Sequence, residues 1–201
     1  METFQTLVIA ICGGVAVYYV PKFIGYIYYK RKPILEYQFD DHGPGLRRIH
    51  HSFGKVADDP HASNDKCWEH TSDRLDPGNA TCYGPYTKEI PFRGKYIVRY
   101  RIKIEGIKNK IEPILVLDVT HGALSGTKEN VTILGLPLVE KQLFGKDFEA
   151  GKYKNFDVSF DYDGQSLIEF RCKVINPEQY KRNVDRILFD NFKVFHIIEL
   201  L

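Results

Sequence analysis

The side chains able to do chemistry are concentrated in one stretch of this chain. Five of its seven histidines, His42, His50, His51, His61 and His70, fall within 29 residues, and the single tryptophan, Trp68, stands among them, followed by Tyr83 and Tyr86. Trp68, His70, Tyr83 and Tyr86 are the candidate ligand-binding set. An aromatic ring there can stack on the apolar face of a flat ligand ring, with Glu69, His70 or Asp73 supplying polar groups around it. The competing reading is core packing, and it is the one we expect for Trp68. Cys67-x-x-His70 has a spacing that can chelate zinc, but a structural zinc site needs a second matched pair, and only His50-His51 approaches one. Hydrogen-bonded loop histidines are therefore the default. Cys67 and Cys82 flank a turn centred near Leu75 and form a candidate disulfide if the domain lies in an oxidising compartment.

Catalytic patterns are missing. The chain has no Gly-x-Ser-x-Gly, no Walker-type loop and no dinucleotide fingerprint. Asp58/Asp59 and Asp161/Asp163 are paired carboxylates, yet adjacent or alternate strand positions seldom give the convergent spacing that glycoside hydrolysis requires. The chain is read as non-enzymatic. With 28 basic against 26 acidic residues, net charge +2, it lacks the electrostatic footprint of a nucleic-acid binder.

The elements that must position these residues read as strands. Tyr96, Val98, Tyr100, Ile102 and Ile104 alternate with charged or mixed neighbours in Lys95–Glu105. The same period of two runs through Asn155–Tyr162 and through Leu167–Val174, where Ile168, Phe170, Cys172 and Val174 face one way and Glu169, Arg171 and Lys173 the other. Ile114–Val119 is apolar on both faces, as a central strand would be, and Arg186–Ile197 changes phase near Asp190-Asn191, which predicts a bulge. Breakers separate these runs, and no long amphipathic helix intervenes. The fold class expected is all-β, an antiparallel jelly-roll β-sandwich over residues 33–201.

Residues 1–32 read differently. Positions 7–29, LVIAICGGVAVYYVPKFIGYIYY, carry one charge, Lys22, and are long enough as a helix to cross a bilayer, with tyrosines at the interface. This predicts a single N-terminal transmembrane helix with a basic flank, Lys30-Arg31-Lys32, and hence a single-pass membrane protein. The positive-inside rule favours an N-out/C-in topology, while two glycosylation sequons and the Cys67/Cys82 pair weigh against it. A charge inside the span also suggests a membrane protein partner.

A resemblance covers most of residues 36–197. The run Gly54-Lys55-Val56-Ala57-Asp58-Asp59-Pro60-His61-Ala62-Ser63-Asn64, then Tyr83-Gly84-Pro85-Tyr86, Ile90-Pro91, Gly94-Lys95-Tyr96, Arg99-Tyr100-Arg101, Glu169-Phe170-Arg171 and Phe189-Asp190-Asn191-Phe192-Lys193-Val194 resembles jelly-roll carbohydrate-binding modules of galactose-binding-like fold. Such modules are attached to prokaryotic glycosyltransferases and glycoside hydrolases. The resemblance implies a non-catalytic module that binds glycan or assists a polysaccharide enzyme. The alternative is an accessory subunit of a membrane-embedded complex with no sugar ligand. It further implies a structural calcium ion near the first and last strands, at Gln38, Asp40 and Asp190, although Gln38 stands where the family usually has an acid.

Overall fold

The computed structural model describes residues 32–41, 49–52, 54–71, 80–122, 124–125, 132–133, 137–175 and 177–197. Their strands are β1 (Leu35–Gln38), β2 (His50–His51), β3 (Lys55–Asp58), β4 (Lys66–Thr71), β5 (Ala80–Thr87), β6 (Gly94–Glu105), β7 (Pro113–Gly122), β8 (Leu124–Ser125), β9 (Thr132–Ile133), β10 (Pro137–Phe144), β11 (Lys154–Tyr162), β12 (Leu167–Val174) and β13 (Arg186–Ile197). A 3₁₀ turn, Gly145–Asp147, and one short helix, α1 (Pro177–Asn183), are interspersed. Sheet I runs β11-β6-β13-β4-β3, with β1 also paired to β13. Sheet II runs β10-β7-β12-β5-β2, and β8 and β9 form a separate ribbon. All pairings are antiparallel.

The two sheets face each other because each strand alternates. Tyr96, Val98, Tyr100, Ile102 and Ile104 of β6 are fully buried, as are Leu115, Leu117 and Val119 of β7. Aromatic rings close the gap between sheets: Phe170 of β12 lies 5.1 Å from Phe192 of β13 and 5.8 Å from Phe160 of β11. The phase change expected in β13 is present. Its register against β6 shifts between Phe189 and Asn191, so Ile187 and Phe189 before the bulge, and Phe192 and Val194 after it, all enter the core. The extra residue leaves Asp190 and Asn191 together on the outer side.

Two expectations are corrected. Among the described residues no helix is long and apolar enough to cross a membrane, which overturns the single-pass membrane reading. The α-helix among the described residues, α1, has seven residues, about 10 Å of helix, against a hydrocarbon core about 30 Å thick. The stretch 7–29, with the flank up to Arg31, lies outside the described residues. The disulfide is also absent: Cys67 and Cys82 are both free, buried thiols. Cys67 packs with Ala62 and Leu188 on the outer side of sheet I, whereas Cys82 belongs to the main core on sheet II. The two thiols are therefore separated by a sheet and the core itself. Cys82 instead stands directly opposite Cys172 on β12.

Candidate functional site

Trp68 packs in the core, as expected, and does not serve the candidate ligand-binding set. Trp68 is only 7% exposed and stacks flat on His51, with ring centroids 3.7 Å apart and planes 9° apart. His51 Nε2 lies 2.7 Å from the Phe39 carbonyl, which can only accept, so Nε2 carries the proton. Nδ1, 3.2 Å from Cys82 Sγ, then accepts from the thiol, which burial pushes well above its ordinary pKa and keeps protonated. Gly54 fits closely beside this stack: its φ is +115°, and a Cβ there would lie 2.4 Å from Trp68 Nε1. His70 is fully buried, and its Nδ1–H donates to Tyr180 Oη at 3.0 Å while that hydroxyl donates to the His70 carbonyl at 3.1 Å. Trp68 and His70 are core residues. Cys67 and His70, three apart on a strand, face opposite sides of β4, so their spacing cannot chelate one ion.

Tyr83 and Tyr86 have a different fate. On a regular strand, residues three apart face opposite ways. Here β5 carries an extra residue against β12, since Ile168 pairs with Thr87 but Phe170 pairs with Gly84, and Gly84 takes φ +96°. The bulge brings both tyrosines, each half-buried, beside His50, whose ring is 5.4 Å from Tyr83 and 6.0 Å from Tyr86. His51, the next residue of β2, faces inward to Trp68, and His50 therefore faces out.

These rings begin a row across the outer face of sheet II. His50 pairs with Tyr83, Tyr83 with Arg171, Arg171 with Asp118, and Asp118 with Glu140, so one residue from each of the five strands stands in register. Directly opposite residues project to the same face. Five strands at about 4.8 Å spacing make a row roughly 19 Å long. A second row runs beside it: Thr120 pairs with Glu169, and the Tyr86 hydroxyl donates to the Glu169 carboxylate.

The polar half of the surface is tightly ordered. Arg171 holds Asp118 through two bonds, Nε–Oδ1 at 2.7 Å and Nη2–Oδ2 at 2.8 Å. Lys173 Nζ also contacts Asp118 Oδ2 and lies 3.4 Å from Glu140 Oε1. Glu169 Oε2 accepts from Thr120 Oγ1 at 3.2 Å and lies 3.9 Å from Arg171 Nη1. Burial pushes the Glu169 carboxyl above its ordinary range, more than Arg171, Tyr86 and Thr120 pull it down. Burial pushes the Tyr86 phenol upward, and neighbouring Glu169 adds to the shift. Burial alone would lower Arg171, but its bonds to Asp118 reverse the sign and hold the guanidinium protonated.

The candidate carboxylate pairs do not converge. Asp163 caps its own turn, accepting from the amides of Gln165 and Ser166 at 2.8 Å each. Asp59 is buried against Lys103, Tyr153 and the His61 amide, while Asp58 pairs across to Lys66 in the strand ladder. Of the sequence candidates, the structure brings Tyr83 and Tyr86 together and sends Trp68 and His70 to the core. His50, Glu169, Arg171, Asp118 and Glu140 join the surface from outside the candidate ligand-binding set. Alternation in Leu167–Val174 had already put Glu169 and Arg171 on one face; the pairing that aligns them with Tyr83 and Asp118 is a tertiary fact.

The three residues expected to hold calcium are brought together, but the oxygens of both carboxylates are committed. Asp190 is fully buried; Oδ1 accepts from the Ser63 amide at 3.0 Å and from Ser63 Oγ at 2.7 Å, and Oδ2 accepts from Arg101 Nη1. Asp40 accepts from Asn64 Nδ2 at 3.0 and 3.2 Å, and Gln38 Oε1 lies 3.1 Å from Ser63 Oγ. Among the described residues no group of three or more His, Cys, Asp or Glu side chains can hold a metal ion. A calcium site needs about six to eight oxygens with several carboxylates, and a divalent ion at Asp190 would also meet the Arg101 guanidinium. The residues present do not fit the ion.

No family model and no curated protein matches this sequence. Solved structures do match in shape. The tandem CBM22-1–CBM22-2 domain of Xyn10C from Paenibacillus barcinonensis aligns with TM-score 0.55 at 7% identity, over 84% of this chain and 50% of that one. The CBM22-2 xylan-binding domain of the same protein aligns with TM-score 0.52 at 8% identity, over 81% and 99%. The CBM22-1–GH10 modules of Clostridium thermocellum xylanase 10B, solved with xylohexaose, align with TM-score 0.51 at 9% identity, over 82% and 28%. The fold is that of a carbohydrate-binding module. Identities this low speak for the β-sandwich and its strand plan, as the sequence resemblance implied.

Proposed function

We propose that this chain is a non-catalytic glycan-binding module whose ligand lies across the outer face of sheet II. The observation that supports it is the register row His50–Tyr83–Arg171–Asp118–Glu140 with Tyr86 and Glu169 beside it. Stacked rings at one end offer flat apolar faces for pyranose rings, and the partly exposed Arg171, Lys173 and Glu140 can bond hydroxyls while buried Asp118 and Glu169 hold the cations in place. Both cations are already engaged by carboxylates of the same cluster, and three carboxylates, Asp118, Glu140 and Glu169, stand against Arg171 and Lys173. That balance suits an uncharged, hydroxyl-rich polysaccharide and disfavours uronate-rich chains. One structural neighbour, the CBM22-2 domain, is named as xylan-binding, and xylan is a hydroxyl-rich polysaccharide.

Affinity electrophoresis and titration calorimetry with soluble xylan, mixed-linkage glucan and galactomannan, and with polygalacturonate as the anionic control, test this reading. A neutral polysaccharide should bind to the native protein and lose at least about tenfold in affinity in Tyr83→Ala or Glu169→Ala, roughly 1.4 kcal/mol. Absence of binding to every neutral polymer, or unchanged affinity in both variants, would overturn it.

A further inference from the structure

The junction where carbohydrate-binding modules were expected to carry calcium is closed in this chain by an arginine. Arg101 of β6 reaches Asp190 at the β13 bulge through Nη1, and through Nη2 it donates to the His61 carbonyl at 2.8 Å. Its guanidinium lies 4.3 Å from the centre of the Tyr153 ring, which itself donates to Asp59 Oδ2 at 3.0 Å. Ser63, two residues beyond His61, donates its amide and hydroxyl protons to the other oxygen of Asp190, its Oγ lies 3.1 Å from Gln38 Oε1 of β1, and the Phe39 amide donates to the Asp190 carbonyl at 3.0 Å. One planar fork thus ties β6, β13 and the loop 59–65, with the end of β1 attached through Ser63 and Asp190.

We propose that the Arg101 guanidinium is the built-in cation of this junction and that it takes the place of a divalent metal in joining the first and last strands. Two observations carry it. The only fully buried carboxylate at the junction, Asp190, has its charge opposed by Arg101 and its other oxygen occupied by Ser63. Of the remaining expected ligands, the carboxylate Asp40 accepts from Asn64 Nδ2 through both oxygens, and Gln38 brings no charge. Arginine suits the task because its fork can bond a carboxylate and a carbonyl at once, which an ammonium cannot do in the same plane. The proposal stands apart from the glycan reading, since the junction lies on sheet I.

The test is thermal unfolding of the purified protein in EDTA and in millimolar calcium chloride. A ligand that binds only the folded state raises the midpoint, so a calcium-stapled sandwich must melt later in calcium. Coincident midpoints are expected. A midpoint lowered by EDTA, or raised by calcium over EDTA, would overturn the proposal. Arg101→Ala should lower the midpoint clearly more than Arg99→Ala, two residues along the same strand, whose ion pair with Asp157 is about 40% exposed on both sides. Arg101→Lys should recover only part of the loss. Equal midpoints for Arg101→Ala and Arg99→Ala would also defeat it, and if Arg101→Ala does not fold, the metal comparison on the native protein decides alone.

Discussion

Asp118 and Arg171 stand directly opposite each other on β7 and β12 and are joined by two parallel hydrogen bonds of 2.7 and 2.8 Å. Asp118 is fully buried although it projects from the outer face of sheet II, because Arg171, Lys173 and the rest of the row cover it. A carboxylate so enclosed tolerates its burial only while its cations remain. The pair therefore couples two links of the chain of causes: it fixes the β7–β12 register and it holds the polar half of the proposed platform in place.

The stability of this pair should differ sharply from that of a look-alike. Arg99–Asp157 on sheet I is equally bidentate, at 2.7 Å twice, but both partners are about 40% exposed. Arg171→Ala should cost about 2–4 kcal/mol, since it strips a buried charge of its main partner while Lys173 partly compensates. Arg99→Ala should cost under about 1 kcal/mol, as solvent screens the pair. Urea unfolding of the two variants checks this; losses of the same size would mean that Asp118 is more hydrated than its enclosure implies.

Phe170→Ala should destabilise the domain by about 3–5 kcal/mol, because its ring bridges Phe160 and Phe192 between the sheets. Lys173 faces the other way, as alternation predicts, but it touches buried Asp118. Lys173→Ala should therefore cost about 1 kcal/mol, more than an ordinary surface lysine. Denaturant midpoints at unchanged slope measure both. Equal losses would mean the faces of β12 are assigned wrongly.

That contrast marks where sequence reading stops. Strand faces were legible because apolar residues recur every second position in β6, β11 and β12, and the β13 bulge was legible because the alternation skips a step at Asp190-Asn191. Which strands neighbour which was not, so the row from His50 to Glu140 had no sequence signature. Trp68 attracted a binding role through residue type alone, while the bulge that turns Tyr86 toward Tyr83 depends on pairing with β12. Cys67 and Cys82 were close in sequence, and the chain crosses from one sheet to the other between them. The short helix Pro177–Asn183 was missed because seven residues give too little periodicity to read.

The single tryptophan provides a clean reporter for the core. Trp68 emission should be blue-shifted and resistant to aqueous quenchers, as its burial against His51 requires. Trp68→Ala should cost about 3–5 kcal/mol. A polysaccharide that binds sheet II should register by calorimetry while leaving Trp68 emission unmoved. A glycan-induced shift in that emission would place the ligand on the wrong side of the sandwich.

Glu169 links stability to pH. Burial raises its carboxyl above the ordinary value of 4.5, so between that value and the folded one the native state holds more protons than the unfolded state. By linkage, its contribution to stability then falls as pH rises through this window and is most favourable below 4.5. Asp59 works in the opposite sense. Burial opposes its ionisation, but bonds from Lys103, the His61 amide and Tyr153 outweigh this and lower it below 3.8, so its contribution is present above 3.8 and lost as pH falls further. The two windows do not overlap. Glu169→Gln should remove the fall in stability above 4.5 while leaving the acid limb below 3.8 intact, and Asp59→Asn should weaken the acid limb alone. Urea midpoints measured from pH 3 to pH 7 separate the two; if Glu169→Gln leaves the slope above 4.5 unchanged, the carboxyl titrates as an ordinary surface acid and the outer face of sheet II is wetter than its packing indicates.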